Sequence, residues 1–419
     1  MIAWFSRMAV EWTNKKMAVH GLSRGSKASL MGHYGKYSQP WSRARLAEVA
    51  KGLKDVVDLT PGTSRGYDRP PRHVIEAVQK AIEGPAYDSA TGTKVASDLR
   101  QAIAEGYEKR YGIDTDPQTE VLLTVGASQA IDCTLRVLLD PGDEVLLMDP
   151  DYAPYEAHIL SFQAKPIPVP LKEDKPGQWS FDLNALRRRV TEKTKLLMMS
   201  NANNPTGFLY TKEENEAIAE LAIKNDFFVL ADHVSEQVVF DGATLNNIAV
   251  VPGMKERTIV CSSFSKAHNL PGFRTGYAIG NSDILQRMAN VIGWMTDGIV
   301  TPGVVAALAV LTGPQDWVRE HIKSLQERRD LMVNWLNKMK GVACGSPKGV
   351  YWAFPNIKGT GMPSHDLSEY LLTEGKVNVR PGIWYGKNGE GHLRIAFCVN
   401  PEWIQKGMER MEAALSKLG

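Results

Sequence analysis

Thr258-Ile-Val-Cys-Ser-Ser-Phe-Ser-Lys-Ala-His-Asn-Leu-Pro-Gly-Phe-Arg-Thr-Gly-Tyr277 holds the densest chemistry of the chain. Its apolar opening, Thr258 to Cys261, reads as the end of a strand. A polar cluster, Ser262 to Ser265, leads to Lys266, and Arg274 follows eight residues later (274 minus 266) between Gly272 and Gly276. A lysine that acts as an amine nucleophile needs a rigid, partly dry seat near another cation, because both lower its pKa. Hydroxyls and an arginine fork beside it suit a phosphate. A lysine imine next to a bound phosphate is the chemistry of pyridoxal phosphate. A solvated lysine in a polar loop is the alternative this stretch alone leaves open.

Outward from this stretch, strands and helices alternate. Phe227 to Ala231 predicts a strand ended by Asp232, an acid that needs a partner if buried. Lys195 to Ser200 predicts another, running into Asn201-Ala-Asn-Asn204-Pro-Thr-Gly207, a stiff turn that holds an amide toward the strand's carboxyl end. Val145 to Met148 ends at Asp149-Pro-Asp-Tyr152. Val121 to Thr124 ends at Gly126-Ala127-Ser128, where small residues open a helix and leave backbone N–H groups for an anion. A simple strand-to-helix turn is the other reading there. Pro61-Gly62 is a break at which backbone can approach a ligand closely. Candidate site residues thus gather at strand carboxyl ends, as expected of a doubly wound α/β sheet with one active site.

The chain has 419 residues, more than one ordinary core, so two domains are expected. A net charge of +2 gives no argument for nucleic acid or membrane as a partner, and no apolar run is long enough to span a bilayer. The scattered cysteines, Cys133, Cys261, Cys344 and Cys398, read as buried reduced thiols, which points to a cytoplasmic protein. No HExxH or CxxC spacing suggests a metal. Residues 1–30 are basic, with Glu11 their one acid, and read as an N-terminal arm or extension. Trp317 to Met339, Leu367 to Gly375 and Pro401 to Leu418 predict the helices of a C-terminal unit.

Asn204-Pro-Thr-Gly207, Asp232, Ser263-Phe-Ser-Lys266 and Gly272-Phe-Arg274-Thr-Gly276-Tyr277 resemble the aspartate aminotransferase family, fold type I of the pyridoxal phosphate enzymes. The resemblance covers roughly residues 55 to 415 and is closest to the bacterial aspartate, aromatic and kynurenine aminotransferases. It includes Tyr87-Asp-Ser-Ala-Thr-Gly92, Gly126-Ala-Ser-Gln-Ala-Ile131, Asp149-Pro-Asp-Tyr152, Val379-Arg-Pro-Gly382 and Gly391-His-Leu-Arg394-Ile395. It implies a large domain (61–300) with a mostly parallel seven-stranded sheet. A smaller α/β domain from 31–60 and 301–419 and a homodimer with shared active sites complete the expectation.

The resemblance also implies roles. Lys266 carries the cofactor as an internal aldimine and then moves the proton. Asp232 pairs with the pyridine nitrogen, which keeps the ring able to accept electrons. Asn204 donates to the ring's phenolic oxygen, and Tyr152 stacks on the ring. Ala127, Ser128, Ser263 and Arg274 bind phosphate, with Tyr87 reaching the phosphate of the neighbouring subunit. Arg394 holds the substrate carboxylate by a two-pronged bond, which the backbone of Gly62 also touches. Arg65 and Lys94 lie in loops that border the cavity in relatives and read as solvated charges.

One departure stands out. The family's Asp-Glu-x-Tyr is here Asp232-His233-Val234-Ser235. Ser235 replaces a tyrosine that gives the phenolic oxygen a second donor, and His233 reads as an outward-facing, satisfied histidine. The expected activity is transfer of an amino group from an L-amino acid to a 2-oxo acid. Ser235 keeps open another outcome on the same fold: decarboxylation, β-elimination or oxygen-dependent oxidation.

Overall fold

The computed structural model describes residues 39–64, 67–84 and 92–418. Its strands, in chain order, are β1 (Val57–Asp58), β2 (Val121–Thr124), β3 (Glu144–Asp149), β4 (Lys165–Pro170), β5 (Lys172–Lys175), β6 (Gln178–Ser180) and β7 (Thr194–Ser200). They continue with β8 (Phe228–Asp232), β9 (Thr258–Ser263), β10 (Gly276–Ile279), β11 (Trp352–Ala353), β12 (Val377–Asn378), β13 (Arg380–Pro381) and β14 (Leu393–Ala396).

Seven of these form one sheet in the order β2-β10-β9-β8-β7-β3-β4. Strand β10 runs antiparallel to both neighbours, while β9-β8-β7-β3-β4 pair in parallel. The predicted apolar runs are these strands because a sheet covered on both faces must be apolar on both. Neighbouring residues of one strand enter opposite cores. Leu197, Met199, Val229 and Val260 pack with the helices Arg72–Glu83, Lys94–Tyr111, Lys212–Lys224 and Thr301–Thr312. Leu196, Met198, Leu230, Ile259 and Cys261 pack with Gly126–Leu138, Pro154–Ser161 and Ser282–Met295. The doubly wound architecture is therefore present. The helix Thr301–Thr312 buries Val304, Ala306, Ala307 and Val310 in the core of the large sheet, although the sequence reading begins the second unit at 301.

A separate core joins the segment around Val57 to the C-terminal part of the chain. Val57 and Leu59 pack there with Leu325, Met332, Leu367, Leu371, Ile395, Ile404 and Met408. Strand β1 pairs in parallel with β12, Val57 opposite Val377. The backbone continues the seam: Leu59 donates to Asn378 at 2.9 Å, and Ala396 donates to Leu59 at 2.8 Å. A small antiparallel sheet, β11-β14-β13, carries Trp352, Arg394 and Arg380. It faces the carboxyl ends of the large sheet, and the cavity lies between.

Candidate active site

A cavity of about 330 Å³ is lined by Gly62, Ala127, Ser128, Tyr152, Asn204, Asp232, Ser235, Ser263, Lys266, Arg274 and Arg394. These are the site residues the sequence predicts, except Tyr87, which lies outside the described residues. Arg65 lies outside them as well. Lys94 does not line the cavity; it pairs with Asp98 at 2.7 Å on an exposed helix face.

Lys266 follows β9 by three residues (266 minus 263), in the turn that the polar cluster predicts. The hydroxyl of Tyr351 donates to its carbonyl at 2.7 Å and holds the backbone. The amine Nζ donates to the carbonyl of Gly62 at 2.5 Å and sits 5.5 and 5.4 Å from the ring centres of Tyr351 and Trp352. Burial, with Arg394 and Arg380 nearby, brings Lys266 down to about 8, against the opposite pull of Cys398 and Asp232. A fraction of the amine is therefore neutral near neutral pH, as a nucleophile requires. Gly62 lets this happen: a Cβ there would stand 3.2 Å from Nζ and 3.3 Å from the Trp352 ring.

Asp232 ends β8, one residue later than the sequence reading places the strand's end. Its Oδ2 accepts from the Tyr155 hydroxyl at 2.5 Å, and its Oδ1 from the backbone N–H of Val234 at 2.9 Å. Burial pushes this carboxyl up, against those two donors and Lys266. A buried carboxylate held by neutral donors gains most from a cationic N–H, which a pyridinium offers. Arg394 is also buried. Its guanidinium donates to Asn204 Oδ1 at 3.2 Å and to the carbonyl of Thr60 at 3.3 Å, its Nε has no partner, and it lies 4.2 Å from the Trp352 ring centre and 5.0 Å from that of Tyr385. With its oxygen engaged by Arg394, Asn204 keeps its amide N–H groups for the cavity.

At the other end, the helix Gly126–Leu138 starts with no side-chain cap, so its first N–H groups remain available to an anion. Arg274 lies against this terminus. A Cβ on Gly126 would stand 2.4 Å from its Nη2, and a Cβ on Gly276 would stand 2.6 Å from the backbone N of Ala127. Glycine at both positions lets β10 and the guanidinium close on the helix end. Arg274 has a φ of 53°, in the left-handed region. With Ser263 and Ser265, these groups form a cradle with the donors and charge that a phosphate needs. The residues present fit pyridoxal phosphate.

Several lining residues were not predicted as site residues: Thr63, Ser200, Ser265, Trp352 and Arg380. Ser265 adjoins the lysine, and Arg380 lies within a segment that marks the resemblance, so both had a signal in the sequence. Trp352 had none, because its place depends on packing between distant segments. His233 corrects an expectation. It is buried rather than outward-facing, its Nδ1 has no hydrogen-bond partner, and burial lowers it to about 4, so it is neutral. The residue that organises its turn is Glu236, which accepts from the hydroxyls of Tyr107, Tyr111 and Tyr277 and from Arg110.

An amine facing a buried carboxyl, between an anion cradle and a guanidinium, defines a pyridoxal phosphate enzyme that acts on amino acids. Known proteins narrow the class. Residues 54–411 match the family described as aminotransferase class I and II. The chain is 34% identical over 375 residues to aromatic-amino-acid aminotransferase 2 of Thermococcus litoralis, covering 89% of this chain and 95% of the relative. It is 35% identical over 373 residues to an aspartate aminotransferase of Pyrococcus abyssi, covering 88% and 94%. Among solved structures, an aromatic aminotransferase from Pyrococcus horikoshii superposes with a TM-score of 0.82 at 34% identity, covering 89% of this chain and all of that one. The chain belongs to the class I and II aminotransferases and is a pyridoxal phosphate-dependent enzyme that transfers amino groups.

Proposed function

We propose that Lys266 would carry the cofactor and that its amine, once free, would hold and move the proton at the substrate Cα. Asp232, held by Tyr155, keeps the ring nitrogen protonated, and Asn204 donates to the phenolic oxygen. The helix terminus at Ala127 and Ser128, with Ser263, Ser265 and Arg274, holds the phosphate. Arg394 holds the substrate α-carboxylate, with Asn204 and Thr60 fixing its plane. Bound pyridoxal phosphate supplies the electron sink that the side chains lack. The observation that carries this reading is the convergence of Lys266, Asp232, Asn204, Arg274 and Arg394 on one cavity.

The working unit in this reading is a homodimer in the cytoplasm. Exposed Trp294, Met295 and Val300 are apolar surface that suits a partner subunit. The smaller domain in this reading takes in 31–60 and the C-terminal part, supported among the described residues by the core that Val57 and Leu59 share with Leu325, Leu367 and Ile395. Relatives named for aromatic amino acids, aspartate and LL-diaminopimelate bound the substrate class. Lys266→Ala tests the assignment. Borohydride reduction followed by peptide mapping should find the cofactor on Lys266 in wild type and on no lysine in the variant. A variant that is still labelled at wild-type stoichiometry would refute it.

A further inference from the structure

The hairpin of β5 and β6 reaches from the large sheet to the segments beside Arg394. Its flanks, Leu171 and Phe181, are buried in a core of that sheet. Its turn meets the neighbourhood of the separate core, which holds Cys344, Ala353, Ile357 and Leu393. The N–H of Gly345 donates to the carbonyl of Gly177 at 3.2 Å. A Cβ on either glycine would strike the backbone of the other, so their lack of side chains lets the two segments touch. The chemical centre of the contact is Glu173. Its Oε1 accepts from Asn356 Nδ2 at 2.8 Å, from His392 Nε2 at 2.9 Å and from the N–H of Gly177 at 2.8 Å, and its Oε2 accepts from Lys358 Nζ at 2.9 Å. Burial alone would raise this carboxyl, but these donors outweigh it and hold it well below the usual carboxylate range. Glu173 is thus an anion at neutral pH, and three of its four donors come from the far side of the contact.

Two of those donors flank the strands beside the cavity. Asn356 follows β11 by three residues (356 minus 353), and His392 precedes β14 by one (393 minus 392). The buried His392 ring stacks on Phe354 with centres 5.0 Å apart. Phe354 meets the Tyr385 ring edge-on at 6.1 Å, and Tyr385 lies 5.0 Å from the Arg394 guanidinium. Trp179 of β6 adds a further ring, 4.9 Å from His392 and 5.9 Å from Phe354. Among the described residues no carboxylate holds Arg394, which donates to the neutral oxygens of Asn204 and Thr60. Its place therefore depends on the register of β14 and on the rings around it. Without Glu173, the buried donors of His392 and Asn356 would lose their acceptor, and satisfying them again would require these segments to shift. We propose that Glu173 is a positioning residue for Arg394: from the hairpin it fixes His392 and Asn356, and through them the strands and rings between which the guanidinium lies. This rests on the role proposed above for Arg394, the grip on the substrate α-carboxylate.

The test is a double-mutant cycle on the holoenzyme, with whichever of aspartate, glutamate, alanine and phenylalanine wild type turns over fastest. Glu173→Ala should lower kcat/KM by roughly 10- to 100-fold, the order of a misplacement of about 1 Å. The loss should fall on KM rather than kcat, because a displaced guanidinium grips the carboxylate less well in the ground and transition states alike. Glu173→Gln, which keeps one acceptor oxygen, should fall between. The cofactor dissociation constant should stay at its wild-type value, since the cradle is built from other elements. In an Arg394→Lys background Glu173→Ala should cost far less than it does alone, because the residue it positions is already lost. A cost within about twofold of that in wild type means independent action and would overturn the inference, as would an equal weakening of cofactor binding. If Glu173→Ala fails to fold, the cycle is run with Glu173→Gln, and an unchanged kcat/KM there overturns it. Arg394→Lys with wild-type kinetics would instead remove the role of Arg394, and this inference with it. A costly Arg394→Lys to which Glu173→Ala adds in full would remove this inference alone.

Discussion

The two ends of the cavity are built in different ways. The cradle at Gly126 to Ser128 is mostly backbone: uncapped helix amides, two glycines that permit close approach, and an arginine from the adjoining turn. The end at Arg394 is mostly side chain: a buried guanidinium between two aromatic rings, with Arg380 beside it and Thr60 reaching it from 334 residues away. A backbone cradle suits a ligand that never changes, since its donors do not depend on which side chains surround them. A side-chain clamp can be retuned one residue at a time, which suits the partner that differs between relatives.

Substitutions that strike one end and spare the other test this contrast. The largest effect is expected for Gly276→Ala. Its Cβ would meet backbone atoms of Gly126 and Ala127, which cannot swing aside as a side chain would. Overpacking of this kind costs roughly 1–3 kcal/mol of stability, and opening of the cradle should weaken cofactor binding by more than about tenfold, since each 1.4 kcal/mol is tenfold. Urea unfolding and fluorescence titration of the cofactor-free protein measure the two; wild-type cofactor affinity in the variant would contradict the cradle. Arg394→Lys should act at the other end. Exchange of a planar fork for a point charge is predicted to lower kcat/KM by roughly 10- to 100-fold while the cofactor dissociation constant moves by less. Should the two quantities fall together, the ends are not independent.

The smallest effect is expected at Ser235, where the family pattern has tyrosine. Ser235 lines the cavity beside Asp232. The nearby phenol of Tyr155 is already committed to Asp232, so it does not replace the missing donor. One neutral hydrogen bond contributes roughly 0.5–1.5 kcal/mol, and thus up to about one pKa unit. The sign follows from the form that is stabilised. A restored donor favours the deprotonated lysine-bound cofactor, so Ser235→Tyr should lower the pH at which its colour changes. A spectroscopic titration in which that midpoint stays fixed or rises would remove Ser235 from the account.

The same contrast explains what the sequence made legible. Long buried runs such as Leu196 to Met199 announce strands because both faces are covered, and a turn such as Asn204 to Gly207 announces itself through local chemistry. The cradle could be read for the same reason: its residues are near one another in sequence, or in a motif with the lysine. Strand β10 passed unnoticed inside that motif, since four residues are too few to show a period. Arg380 lies within a segment that marks the resemblance, but its pairing with Arg394 is a cross-strand register, and β13, two residues long, shows no period that would reveal it. A polar residue after a strand end usually turns outward, so the sequence alone places His233 at the surface. Here the turn folds inward over Glu236, whose four donors come from the helix Lys94–Tyr111 and from β10.

The seam between Val57 to Leu59 and strands β12 and β14 also sets an order of events at the ribosome. Thr60 and Gly62 emerge early, Lys266 in the middle, and Arg394 last. Arg394 follows Lys266 by 128 residues (394 minus 266), which at about 5–20 residues per second is an interval of roughly 6–25 s. During it β2 to β4 and β7 to β10 have all been made, so the large sheet and the phosphate cradle can close around Lys266. The segment Val57 to Gly62 meanwhile waits for β12 and β14, the strands that hold it. The nascent chain thus has Lys266 and the cradle before it has Arg394, to which the proposed reading gives the substrate carboxylate. In the proposed reading, the residue that selects the substrate is made after the residues that hold the cofactor.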